Sequence, residues 1–249
     1  MSELTIITGS ENIERIRQAN IDLLYAFPDF LYNNTVINSL WKNLYTVFAK
    51  YQFLLCDNKD DSVLALGNCL PLAWHKPFEE LPDGGIEWAL KTGVEQAMAG
   101  ESPNVLCAFQ IIVSKEARGK GISYEAVNTM IEIGRSNGIR SLIAPVRPNR
   151  KSEYPLIPID QYLDWRRNDG TPFDDWLRVH VKLGGKILQP CYYSFIITGK
   201  IVDWTQWTGL DFPGSGQYII PGALNPITIE IENDRGLYVE PNIWVEHRV

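Results

Sequence analysis

The stretch Val113-Ser-Lys-Glu-Ala-Arg-Gly-Lys-Gly-Ile122 decides the fold, because an apolar strand runs out in it and an amphipathic helix starts from it. Val105 to Val113 reads as the strand. Beyond the stretch, Tyr124, Val127, Met130, Ile131 and Gly134 recur at three- and four-residue steps, which predicts a helix from Ser123 to Asn137. Arg118-Gly-Lys-Gly121 is then a tight turn feeding a helix N-terminus. The first N–H groups of such a helix lack backbone partners, and their partial positive charge suits phosphate oxygens. Glycine at 119 and 121 lets the backbone approach an anion with no Cβ in the way. The turn is not a Walker loop, since no Lys-Ser/Thr pair follows Gly121, nor a dinucleotide fingerprint, which needs three spaced glycines. By itself it is equally an ordinary tight connection.

Val113 followed after four residues by Arg118-Gly-Lys-Gly-Ile-Ser123 resembles the pyrophosphate-binding motif Q/R-x-x-G-x-G/A of the GNAT acyltransferase superfamily. Arg118, Gly121 and Ser123 take its three defined positions, and serine is a small departure from the usual glycine or alanine. The resemblance implies an α/β fold, a GNAT-like mixed central sheet with two splayed parallel strands, flanking helices and a closing β-hairpin. It also implies acetyl-CoA or another acyl-CoA as co-substrate. The pyrophosphate would then rest on Arg118, Gly119, Lys120, Gly121, Ile122 and Ser123. The thioester would lie along Ile111, Ile112 and Val113, one of whose N–H groups polarises the carbonyl, and Asn149 closes the next strand.

Composition agrees with a single domain over 1–249. The chain has 249 residues, 45% of them hydrophobic, enough to fill a substantial core. Cys56, Cys69, Cys107 and Cys191 are scattered through apolar runs with no C-x-x-C pair, which fits buried free thiols in a reducing compartment better than metal or disulfide. No basic-then-apolar leader and no apolar run of about 20 residues occurs, so the expectation is a cytoplasmic protein without membrane partners. A net charge of −7 argues against nucleic acid. Lys115, Arg118, Lys120, Arg135, Arg140, Arg147, Arg150 and Lys151 nonetheless crowd the turn region, a local excess that suits a small polyanion as well as a solvated basic surface.

The order of elements follows the same plan. Leu4 to Thr8 reads as a strand, and Thr8-Gly-Ser-Glu11 as a capping box opening a helix that Pro28 stops. Val36, Leu40, Trp41, Leu44, Val47, Phe48 and Tyr51 make a 3.6-residue stripe that predicts one helix from about Asn34 to Tyr51. Phe53 to Asp57 and Ser62 to Leu70 flank the turn Asn58-Lys-Asp-Asp61, and an extra helix runs from about Ile86 to Ala99. Gly138 precedes the strand Ile139 to Val146, in which Pro145 cannot donate to a ladder, so pairing should fail there. Ile227 to Glu232 and Leu237 to His247 read as the closing hairpin.

The chain departs from the family where its acid catalyst usually stands. Asn149-Arg-Lys-Ser152 matches the first part of the family pattern, and His180-Val-Lys-Leu-Gly-Gly185 resembles the second, with histidine in the tyrosine's place and glycine in the phenylalanine's. Asn149 and His180 stand 31 apart (180 − 149). That leaves about 24 residues inserted, roughly Arg150 to Pro172, and a long structured loop of this kind is usually functional. Tyr162 and Trp165 in it are candidates to line the acceptor pocket; a surface subdomain or a homodimer contact is the alternative. Trp204 and Trp207 are further candidates for the same pocket or for covering a sheet edge. His180 is the first catalytic candidate, as proton donor to the thiolate or as base, and Tyr154 is the rival acid. No carboxylate interrupts Val105 to Val113, so Glu87 or Glu95 would have to accept the amine proton.

The leading expectation is acyl transfer, most simply acetyl, to an amine of a small molecule or peptide. Transfer to a carrier-protein thiol or decarboxylation of the acyl group keeps the same donor site. A non-catalytic acyl-CoA-binding module accounts for the missing glutamate and tyrosine.

Overall fold

The computed structural model describes residues 4–249. Glu11 accepts from the Thr8 N–H at 2.6 Å and its hydroxyl at 2.8 Å, so β1 (Leu4–Thr8) passes directly into α1 (Gly9–Asp22). The stripe expected to form one helix is divided into α2 (Thr35–Leu40), α3 (Lys42–Tyr45) and a 3-10 turn at Ala49–Tyr51. The Leu44 N–H bonds to Trp41 and the Phe48 N–H to Asn43. Tight and wide turns thus replace the four-residue spacing, while Leu44, Phe48 and Tyr51 still reach the core.

The elements that follow are β2 (Phe53–Asp57), β3 (Val63–Leu72), α4 (Gly85–Ala99), β4 (Val105–Val113), α5 (Ile122–Ser136) and β5 (Ser141–Val146). After these come α6 (Ile159–Leu163), α7 (Asp175–Lys182), β6 (Lys186–Gly199), α8 (Ile201–Thr208), β7 (Gly216–Tyr218), β8 (Ile227–Glu230) and β9 (Arg235–Arg248). The strands form one open nine-stranded sheet, ordered β1-β2-β3-β4-β5-β9-β8-β7, with β6 also on β9. The closing hairpin of β8 and β9 is present, but β9 does more than close it. It takes β5 and β8 in turn along one edge and β6 along the other. No helix among the described residues is long and apolar enough to cross a membrane.

The site is positioned by the only parallel pair in this sheet. β4 and β5 pair at Val105↔Ser141, Leu106↔Leu142 and Cys107↔Ile143. Beyond that point β4 stays on β3 as far as Val113 and β5 stays on β9 as far as Val146, so the two strands part. Separation sets in just before Pro145, which keeps its place opposite Trp244. On β4, Ala108 lies opposite Cys69 and Gln110 opposite Asn68, leaving Phe109 as a bulge at the mouth of the opening.

Strand alternation assigns the two faces. Gly93 of α4 lies against Leu70 and Leu72, and Leu70 pairs with Cys107, so α4 covers the face that carries Cys107. Trp88 of α4 meets Trp244, and Trp41 of the α2–α3 junction meets Phe109, on that same face. Gly134 of α5 lies against Leu106, and His180 of α7 meets His247, whose partner across the ladder is Leu142. Helices α5 and α7 therefore share the opposite face.

Candidate active site

The turn before α5 has the geometry its glycines predict. Gly119 and Gly121 hold φ of 75° and 82°, left-handed values that a side chain rarely adopts. A Cβ at either position would meet nothing within 4 Å, so backbone conformation and not crowding demands glycine. Lys120 donates to Ala117 and Tyr124 to Gly121, while the N–H groups of Gly119, Gly121, Ile122 and Ser123 have no backbone acceptor among the described residues. No side chain caps α5. Arg118, Gly119, Lys120 and Gly121 are exposed, and so is Asn149 just past β5. The result is a cluster of free donors at a helix N-terminus, suited to a diphosphate. Ile111, Ile112 and Val113 lie on the stretch of β4 whose β5-facing edge has no strand partner among the described residues. The bulge at Phe109, at the start of that edge, gives the sharper position for a carbonyl-polarising N–H. Sequence alone does not show a bulge formed between β3 and β4.

The insertion lies on the α5 side. Tyr154, Tyr162, Trp165 and Phe173 form a mutual cluster with centroids 4.9–6.3 Å apart. It packs on Ala144, Val146, Ile243 and Val245, and on Ala108 across the opening. Tyr162 is 1% exposed and donates to Asp174 Oδ2 at 2.7 Å; Trp165 and Tyr154 are half-buried beside it. Burial and the Asp174 carboxylate push the Tyr162 phenol far up. These rings floor the opening from the α5 face, with Tyr162 packed in the core and Trp165 half-buried beside it.

His180 is likewise interior. It is 2% exposed, its Nδ1 lies 2.8 Å from His247 Nε2, and Trp176 stands edge-on at 4.6 Å. His180 Nε2 and His247 Nδ1 have no partner. Burial, aided by His247, pushes the His180 pKa down to about 3. Such an imidazole is held neutral at neutral pH, which makes it a poor proton donor. A Cβ on Gly185 would stand 2.7 Å from both the His180 carbonyl oxygen and His247 Cε1. The glycine at 185 thus answers to the His247 ring and the helix-end carbonyl, which fill the space that a side chain there would need.

The face opposite α5 holds polar groups that the sequence reading did not single out. Tyr45, one turn beyond Trp41, buries a hydroxyl with no close hydrogen-bond partner among the described residues; burial pushes the phenol up to about 12, and hydrogen bonding from the Trp41 and Asn68 side chains opposes the rise. Asn68 donates to Gln110 at 2.7 Å beside the bulge and leaves its own Oδ1 unpaired. A loosely satisfied pair of buried polar groups beside a strand opening is the kind of feature that marks a site. Glu87 is half-buried, accepts from Asn34 and the Ile196 N–H, and is shifted upward by burial; Glu95 is exposed on the outer side of α4. All four cysteines are free and buried, and no group of three metal-ligating side chains occurs among the described residues. Trp204 and Trp207 pack into a separate cluster around Phe30 and Tyr238.

A parted parallel pair ending in a donor-lined turn is the architecture of a coenzyme-A-dependent acyltransferase, and comparison with known proteins agrees. The acetyltransferase (GNAT) family model matches residues 39–156. Arginine N-acetyltransferase avaD of Aspergillus versicolor is 32% identical over 249 residues, covering 90% of this chain and 85% of the relative. The chain belongs to the GNAT acetyltransferase family, whose members use acyl-CoA as co-substrate, and it is an N-acetyltransferase. The reading as a silent binding module falls with that. Among solved structures, the loading GNATL domain of CurA from Lyngbya majuscula superposes with a TM-score of 0.64 at 13% identity, covering 99% of this chain and 98% of that one. The GphF GNAT-like decarboxylase in complex with isobutyryl-CoA gives 0.50 at 14% identity, with the same coverage of 99% and 98%. At those identities the likeness is one of fold.

Proposed function

We propose that this protein transfers the acetyl group of acetyl-CoA to the amino nitrogen of a small cationic metabolite, with arginine, the substrate named for the avaD relative, as the first candidate. The observation that carries the reading is the opening between β4 and β5, which leads from the free N–H groups at 119–123 to the Phe109 bulge. The diphosphate rests on the turn, the pantetheine arm follows the unpaired edge of β4, and the thioester reaches the bulge. Its carbonyl is polarised there by a backbone N–H of the bulged stretch. The amine approaches from the Trp41, Phe109 and Trp244 face, the side of the bulge opposite α5. Nitrogen bonds to the acyl carbon, the carbon–sulfur bond breaks, the sulfur leaves with its electron pair and takes a proton, and the nitrogen loses one.

Tyr45 supplies the sulfur's proton in this reading. A phenol held protonated by burial keeps its proton until a thiolate forms nearby, and its hydroxyl makes no close hydrogen bond among the described residues that would commit the proton elsewhere. His180 and Tyr154 are left to packing. The test is free-thiol release from acetyl-CoA against a panel of amines, arginine included, with wild type and Tyr45→Phe. The variant is expected to lose roughly 10²-fold in kcat with acetyl-CoA affinity unchanged. Undiminished turnover removes Tyr45 from the mechanism. Thiol release that needs no amine, or that requires a carrier-protein thiol, overturns the acceptor class.

A further inference from the structure

Arg147 is the first residue beyond β5, and alternation from Val146 turns it toward the face opposite α5. Its Nε donates to Glu240 Oε1 at 2.9 Å and its Nη2 to the Gly222 carbonyl at 2.7 Å. Nη1 has no partner among the described residues, and 23% of the side chain meets solvent. Glu240 is anchored from every side. Tyr238 donates to its Oε2 at 2.6 Å, Asn242 reaches Oε1, and Ser194 links Asn242 to the Ile86 N–H that begins α4. The guanidinium is thus fixed, with one edge spent on structure and one left over.

The charges around it are not paired one to one. Lys151 is 0% exposed, and its ammonium bonds only the Tyr154 and Leu224 carbonyls, at 2.9 and 2.6 Å. Glu240 is the carboxylate that acts on both Lys151 and Arg147. The next buried carboxylate, Asp174, is saturated by the N–H groups of Arg150, Trp176 and Leu177 and by the Tyr162 hydroxyl. Tyr238 is neutral, and the nearby Arg150 and Glu153 satisfy each other at the surface. The buried Lys151 and the part-exposed Arg147 therefore have Glu240 as their shared carboxylate at the end of the strand that flanks the opening, while Asp174 keeps its charge but is turned to neutral donors. Desolvation pulls Lys151 down to about 8, with Glu240 opposing the fall.

We propose that Arg147 is the receptor for a carboxylate on the acceptor, so that the enzyme acetylates an amino acid and not the corresponding simple amine. The proposal rests on the acetyl-transfer reading above and narrows its acceptor. An incoming carboxylate takes the free N–H groups of a planar guanidinium, a fit that a lysine ammonium does not reproduce.

The experiment compares L-arginine with agmatine, which lacks only the carboxylate, in wild type and Arg147→Lys, a change that keeps the charge beside Glu240. Wild type is expected to favour arginine by about tenfold or more in kcat/KM, through KM, and the variant to bring that ratio close to one. Urea unfolding of both proteins checks that the fold survives. If the fold is lost, Arg147→Gln with Glu240→Gln removes both charges together and is read by the same ratio. A ratio unchanged in the folded variant, proportional loss for both acceptors, or wild-type indifference to the carboxylate overturns the proposal while leaving acetyl transfer intact. Acetylation of neither, with acetyl-CoA bound, overturns both.

Discussion

Acidification from pH 7.5 to pH 5.0 should destabilise this fold through its buried histidine pair, and by a predictable amount. His180 has its ordinary value of 6.5 when unfolded and is held at about 3 when folded. A group whose folded pKa is depressed contributes stability above its unfolded pKa, and that contribution drains away as pH falls toward the folded one. At pH 7.5 both states are neutral at this residue and the loss is negligible. At pH 5.0 the unfolded chain gains a proton that the folded chain refuses, over about 1.5 pH units at 1.36 kcal/mol each, or about 2 kcal/mol. His247 is shifted in the same direction by burial and adds to the fall. Carboxylates held low by hydrogen bonds, such as Glu11, lose their contribution only at lower pH, below about 4.5. The assay is urea unfolding at the two pH values for wild type and His180→Leu. The variant is less stable at pH 7.5, because His247 Nε2 loses its partner, but its fall on acidification should be smaller by about 2 kcal/mol. An equal fall in both proteins would refute the burial argument, and with it the case for removing His180 from catalysis.

Gly121→Val should abolish ligand-linked stabilisation, which for acetyl-CoA at a hundred times its Kd is about 2.7 kcal/mol in wild type. The cause is the left-handed φ of 82°, which valine cannot hold without reorienting the donors; a thermal shift with and without acetyl-CoA reads it. Trp165→Ala should cost about 2–3 kcal/mol in urea unfolding by opening the aromatic cluster, while kcat/KM for the amine in the folded variant changes less than about threefold. Selective loss of acceptor use without loss of stability would return the insertion to the acceptor pocket. His180→Phe, assayed per folded molecule at neutral pH, should retain turnover within about threefold, and a loss near 10²-fold would restore it as acid.

How much of this was legible depended on how far apart in the chain the interacting parts lie. Val105 to Val113 is a strand with the bounds its apolar run gives, and α5 begins within a residue of the predicted start, because periodicity and two glycines are local information. The stripe from Val36 to Tyr51 placed Leu44, Phe48 and Tyr51 in the core but took the exposed Val47 for an inward residue, missed the buried Ile37 and gave the helix wrongly, because the broken turns shift which residues face inward. The donor-lined half of the site was readable for the same reason, as its N–H groups belong to consecutive residues.

The other half is assembled across the sheet. Phe109 stands at the opening because β3 and β4 slip by one residue there; Arg147 finds Glu240 93 positions away, and His180 finds His247 67 positions away. A resemblance carried along the sequence could place a histidine where a tyrosine usually stands, yet only the strand from Arg235 to Arg248 decides what that histidine does. β9 brings His247 to one face of the sheet and Glu240 to the other, so one strand turns His180 into packing and Arg147 into a fixed, half-free guanidinium. In the proposed reaction the proton donor and the acceptor contact are therefore to be sought on the face opposite α5 and α7, beside Tyr45 and Arg147, and not on the helix where the family pattern would put them.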